Sequence, residues 1–170
     1  MKTMPLVFLL YFLAGINVCH SQDSVEIDGR LQPLLNDFFD HCKAYNIDYH
    51  DKLFQLKTID ISNTLPLEEN NTVLGMITRD ADGNAENILI NWASMLDPEI
   101  LKVVAFHEFA HYFLDYKHTC QDCNEIMAVT NSSYFEIAED WENQVKNLFT
   151  TSPVYLAKQL EEPIVVVLLQ

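Results

Sequence analysis

Apolar residues recur at three- and four-residue intervals from Asp28 to about Asn46: Leu31, Leu34, Leu35, Phe38, Phe39, Cys42 and Tyr45. That spacing predicts an amphipathic helix with one core-facing stripe. The period then changes. LFQLKTIDIS (53–62), TVLGMITR (72–79) and ENILIN (86–91) alternate in the manner of strands, and the DADGN between the last two is a hairpin turn signal. Helical spacing returns at MLDPEI, where Asp97 stands as N-cap, Pro98 at the first helical position and Glu99 in the first turn. The helix it opens runs through ILKVVAFHEFAHYFL. A further helix is predicted over 132–149, with Phe135, Ala138, Trp141, Val145 and Leu148 on one side and Ser132 and Ser133 at its start. No internal repeat, low-complexity segment or linker interrupts the chain.

The two ends have a different pattern. Lys2 precedes the apolar run PLVFLLYFLAGINV, and a polar stretch begins after CHS. This has the form of a secretory signal peptide over residues 1–21, cleaved after Ser21, and it is too short for a span of about 20 apolar residues. A lipid anchor on Cys19 needs a small residue just before it. Ile16, Asn17 and Val18 stand there instead, so the anchor is the less favoured reading. The expected product is secreted or periplasmic, one domain over 22–170 with no membrane span. The tail EEPIVVVLLQ is apolar after its proline and would form a buried strand or an edge open to a partner.

Charge narrows the partners. The chain carries 25 acidic against 10 basic residues, a net charge of −15, and loss of Lys2 with the leader makes it one unit more negative. Such a surface repels nucleic acid and anionic membranes. Of the cysteines beyond the leader, Cys42 lies on the apolar stripe of the first helix and reads as a buried thiol. Cys120 and Cys123 form a CxxC, for which a small local disulfide is favoured over free thiols. A zinc knuckle would need two more uncommitted ligands, and a redox pair would sit at the start of a helix after a strand. The sequons at Asn70 and Asn131 matter only in a host that glycosylates.

The chemistry is concentrated in HEFAHYFLDYKHTCQDCNEIM (107–127). His107 and His111 are four apart on a helix, so both imidazoles project from one face, as two corners of a tetrahedral zinc site require. Glu108 is displaced around the helix from them and can reach a metal-bound water, the position of a general base. An HExxH arises by chance in about one or two of a hundred such chains, but here it lies late in a long, well-capped helix that follows a strand.

The third ligand has two candidates. His118 is seven residues past His111, and on a continuous helix it would lie about 10 Å further along the axis. It reaches the same metal if the helix stops near Leu114 and the chain turns back through φ > 0, which Asp115 tolerates in place of the usual glycine. The rival is Glu136 on the next helix, with Asp140 one turn on as a partner for a histidine, the arrangement of thermolysin-like zincins. The reading favours His118.

These residues carry a resemblance. HEFAHYFLDYKH followed by EIM resembles the metzincin clan: HExxH, a helix break, a third histidine, then a turn with methionine. The interval from His111 to His118 is one residue longer than in that clan, and Leu114 stands at its glycine position. The chain is more similar to a divergent group of small, secreted bacterial metallopeptidases with an HELGHxxLxxxH type of signature. That likeness extends over most of residues 30–150, through FFDHCKAYNIDYH, VLG, ILINWASML and NLF. It implies an α+β fold of the zincin type, a small twisted sheet backed by an N-terminal helix, the active-site helix and a C-terminal helix. It also implies one Zn2+ held by His107, His111 and His118, with Glu108 as base and Met127 as the hydrophobic floor.

The function so implied is a zinc peptidase that hydrolyses peptide or protein substrates with a metal-activated water and a glutamate base. Tyr134, just after the methionine turn, is a candidate oxyanion donor. ENILIN would offer an edge for an extended peptide. The alternatives are a secreted zinc-binding module without catalysis, which would have no use for Glu108, and an exported redox protein working through Cys120 and Cys123.

Overall fold

The computed structural model describes residues 24–68, 71–131 and 133–161. The leader with Cys19, the sequon at Asn70 and the apolar tail lie outside these residues. No helix among them is long and apolar enough to cross a membrane.

In chain order the elements begin with β1 (Glu26–Ile27), α1 (Gln32–Ala44), α2 (His50–Leu53) and β2 (Thr58–Ser62). A two-stranded antiparallel pair, β3 (Leu67–Glu68) and β4 (Asn71–Thr72), precedes the hairpin of β5 (Gly75–Arg79) and β6 (Ala85–Asn91). A 3-10 turn at Trp92–Leu96 leads into α3 (Pro98–Phe113). The chain closes with β7 (Cys120–Cys123), β8 (Ala128–Asn131), α4 (Tyr134–Glu139), α5 (Trp141–Thr150) and α6 (Pro153–Glu161). The whole is a mixed α+β arrangement of a small sheet and several helices.

The main sheet has the order β1-β2-β6-β5. Its first three strands run parallel and β5 runs antiparallel on the edge. The hairpin forms where the DADGN signal stood. Gly83 takes φ +87°, and Asp80 accepts the backbone N–H groups of Asp82 and Asn84 at 2.9 Å each. One expectation fails here. The strand 86–91 is paired on both sides and offers no edge. Among the described residues the free edge beside α3 belongs to β5.

Two other expectations are revised by local hydrogen bonding. The strand expected over 53–62 begins only at Thr58, because the Asp48 carboxylate accepts the His50 N–H at 3.0 Å and starts the short α2, which takes Leu53. The single helix expected over 132–149 is two. Ser133 caps the first by accepting the Glu136 N–H, and the chain bends at Asp140 (φ −102°, ψ 27°). The bend places the Trp141 ring 4.7 Å from Phe106, with the Lys102 ammonium 4.0 Å over its face.

The core lies between the sheet and the helices. Leu31, Leu35, Phe38 and Cys42 are fully buried on the predicted stripe of α1, and Phe38 sits among Phe106, Phe109 and Phe149 with ring centroids 5.1–5.6 Å away. Burial pushes the Cys42 thiol up to about 12, so it behaves as a small apolar side chain. Helix α3 is buried nearly all round through Val103, Val104, Ala105, Phe106, Phe109, Ala110 and Phe113, which marks a central helix rather than a surface one. Three polar residues in its last turns, His107, Glu108 and His111, interrupt that apolar character.

Candidate metal centre

Helix α3 starts where the sequence places it. Asp97 accepts the N–H of Glu99 at 2.8 Å, with Pro98 at the start of the helix. It ends at Phe113, and the chain then passes through Asp115 at φ +53°, with the Tyr116 N–H still donating to the Ala110 carbonyl at 3.2 Å. Lys52 of α2 secures this reversal. Its ammonium donates to the Tyr112 and Phe113 carbonyls at 3.1 and 3.3 Å and pairs with the Asp115 carboxylate at 2.7 Å. A cation there satisfies helix-end carbonyls and complements the dipole.

The reversal brings His118 back beside the helix. The Nε2 atoms of His107, His111 and His118 form a nearly equilateral triangle with sides of 3.0, 3.2 and 3.2 Å. The Nδ1 of His107 lies 2.6 Å from the Ile126 carbonyl, and that of His111 lies 2.7 Å from the Tyr116 carbonyl. A carbonyl only accepts, so both Nδ1 atoms carry the proton and both Nε2 atoms present lone pairs. Lone pairs converging at this distance repel unless a cation sits among them. Tetrahedral zinc with bonds of about 2.0–2.1 Å would separate its nitrogens by about 3.3–3.4 Å, so the three side chains fit such an ion with small adjustment.

The electrostatics are consistent with that fit. Burial first, then the neighbouring His111 and His118, lower the His107 pKa to about 4 against the opposing Ile126 carbonyl. Burial also lowers His111. Both imidazoles are therefore neutral at ordinary pH, the form that binds metal. Glu108 is only 7% exposed, and burial pushes its carboxyl up to about 8.

The triad and Glu108 open on a cleft of about 560 Å³. One wall is the chain from Thr72 to Gly75, where β5 begins. The other is β8, and Tyr134 and Val104 complete the lining. Burial keeps the Tyr134 phenol protonated by raising its pKa.

The remaining sequence candidates fall as follows. Met127 is buried directly after the carbonyl that orients His107, and its own carbonyl accepts the Thr119 N–H at 2.9 Å. Cys120 and Cys123 are joined by a disulfide within β7, which pairs in parallel with β8. With Glu125 they make a second group of metal-ligand type, but the bridge commits both sulfurs. Asn131 lines the cleft and donates to the Glu125 carbonyl at 2.7 Å, so its amide is in use. Glu136 is outside the cluster: it is exposed on α4 and accepts from the Asn124 amide. Asp140 accepts from Asn143 at 2.6 Å and, among the described residues, supports no histidine.

The partners that orient His107 and His111 are thus backbone carbonyls, which carry no sequence signal. Lys52, Gly75 and Asn91 were also not read as parts of the site. Gly75 alone had a signal, since an isolated glycine in a strand marks a bulge or a close approach. No known protein family, curated protein or solved structure matches the chain.

Proposed function

We propose that the chain is a zinc-dependent peptidase with a metzincin-like site. The observation that carries this reading is the convergence of three imidazole Nε2 atoms beside a buried carboxyl in an open cleft. Structural zinc sites close all four corners with protein ligands, whereas catalytic sites use three and leave one for water or substrate. Among the described residues the histidine cluster has three members.

His107, His111 and His118 would hold the ion, the first two locked in the required tautomer by Ile126 and Tyr116. Zinc supplies Lewis acidity towards a carbonyl oxygen and a bound water acidified to a pKa of about 7. Glu108 would be the proton carrier: its carboxyl, raised by burial, would ionise beside a divalent cation, and it could then accept a proton from water and return it to the leaving amine. Tyr134 offers a protonated phenol at the cleft wall as donor to the developing oxyanion. An extended peptide would add to the free edge of β5, with β8 as the opposite wall, which favours a zincin type of fold for the main sheet and α3.

The test is elemental analysis of purified protein together with cleavage of fluorescein-labelled casein. Wild type should hold one zinc per chain, His118→Ala should lose it and Glu136→Ala should keep it. Glu108→Gln should keep zinc and lose about 10²–10⁴-fold in rate. Zinc bound with no cleavage, and no effect of Glu108→Gln, would mark a binding module instead. Wild type without zinc sinks the metal reading altogether.

A further inference from the structure

Gly75 is the first residue of β5, and it lies directly against Glu108. A Cβ built there would stand 2.4 Å from the Glu108 Oε1, 2.5 Å from its Cγ and 2.6 Å from its Cδ. Every one of these is inside van der Waals contact. The glycine is not needed for its backbone freedom, because among the described residues Gly83 alone of the glycines has positive φ. It is needed for the space.

The strand at this point cannot easily move away. Asn91, fully buried at the end of β6, donates its backbone N–H to the Leu74 carbonyl at 2.8 Å and its side-chain amide to the Val73 carbonyl at 2.8 Å and the Leu65 carbonyl at 3.4 Å. Its Oδ1 in turn accepts the Ala93 N–H at 3.1 Å. Gly75 itself pairs with Ile90 in the hairpin. The edge strand is therefore clamped at a set height above α3, and what gives way under a larger residue 75 is the Glu108 side chain, which must turn from its Cγ outward and carry the carboxyl with it.

We propose that Gly75 is the positioning residue of Glu108. The missing side chain at this one point of the clamped edge strand makes the slot that holds the carboxyl beside the three imidazoles. The proposal rests on the reading of Glu108 as general base, but the slot is a steric statement that can be tested separately. A displacement of about 1 Å in a reacting group is enough to cost about 10²-fold in rate. Binding of zinc is unaffected, because neither Gly75 nor Glu108 is a ligand.

The experiment compares wild type, Gly75→Ala, Glu108→Ala and the double variant by zinc stoichiometry, by kcat and KM on fluorescein-labelled casein, and by crystal structures of wild type and Gly75→Ala. Gly75→Ala should hold one zinc per chain and show the Glu108 carboxyl swung out of the slot, with kcat down about 10²-fold at nearly unchanged KM. A carboxyl that stays in place in Gly75→Ala overturns the proposal, as does a wild-type kcat. Should Gly75→Ala fail to fold, the double variant decides. Removal of the colliding carboxyl should restore folding, and a double variant that also fails places the clash elsewhere and rejects the slot. If wild type does not cleave casein, the peptidase reading falls, and the crystallographic position of the carboxyl alone decides for or against Gly75.

Discussion

At the scale of single residues, Asp115 governs where the third imidazole goes. A non-glycine residue at φ +53° costs about 1–2 kcal/mol in general, less for Asp and Asn, whose short polar side chains bond locally. The sequence was legible at this point because His118 reaches His107 and His111 only through a reversal, and Asp115 is a residue there that tolerates φ > 0. The same logic did not reach the Ile126 and Tyr116 carbonyls, since every residue has one and only the fold selects which faces an imidazole. Two substitutions separate conformation from side-chain contact. Asp115→Gly frees the backbone but loses the Lys52 partner, so urea unfolding of the metal-free protein should change by no more than about 1 kcal/mol. Asp115→Val has neither benefit. It should lose about 1–2 kcal/mol and bind zinc more weakly in chelator competition. Equal behaviour of the two variants would mean that the turn does not depend on the left-handed conformation.

Among the elements, the long ones were legible and the short ones were not. Helices α1 and α3 and the β5–β6 hairpin extend over enough residues for a period or a turn signal to register. Helix α2 has 4 residues, less than a period can show, and its last residue, Leu53, falls in the segment whose alternation reads as strand. The break between α4 and α5 was missed for a related reason: the apolar spacing runs on past Asp140, so no change of period marks the bend that carries Trp141 onto Phe106. Yet α2 carries Lys52, which holds the end of α3 in the shape that returns His118 to the site. Lys52→Met preserves the packing stem and removes the donor. It leaves the Tyr112 and Phe113 carbonyls without that partner and should weaken zinc binding by about five- to tenfold, which corresponds to about 1–1.4 kcal/mol. Isothermal titration of zinc into both proteins would show this, and unchanged affinity would mean that the third ligand is held by the β7–β8 segment alone.

For the whole molecule, the charge balance was legible from composition, but its relation to the cleft was not. The net charge is −15, and among the described residues the cleft lining contains neither Lys nor Arg. An approaching peptide therefore meets a negative field from the molecule as a whole, with no local cation on the walls to reverse it for an acidic substrate. If the chain cleaves peptides, substrates flanked by lysine should be cut with higher kcat/KM than the same sequences flanked by glutamate. Salt identifies the origin of that preference. The screening length is about 10 Å at 0.1 M and about 3 Å at 1 M, so a preference arising from distant surface charge should shrink severalfold between low salt and 1 M, mostly through KM. One arising from direct pairing in the cleft should survive, because close, partly buried pairs are screened much less. The arrangement of charge predicts the first behaviour. A preference that persists at 1 M salt would require a carboxylate in contact with the substrate, and Glu108, the one carboxylate on the cleft wall among the described residues, would then be engaged in binding rather than free to carry a proton.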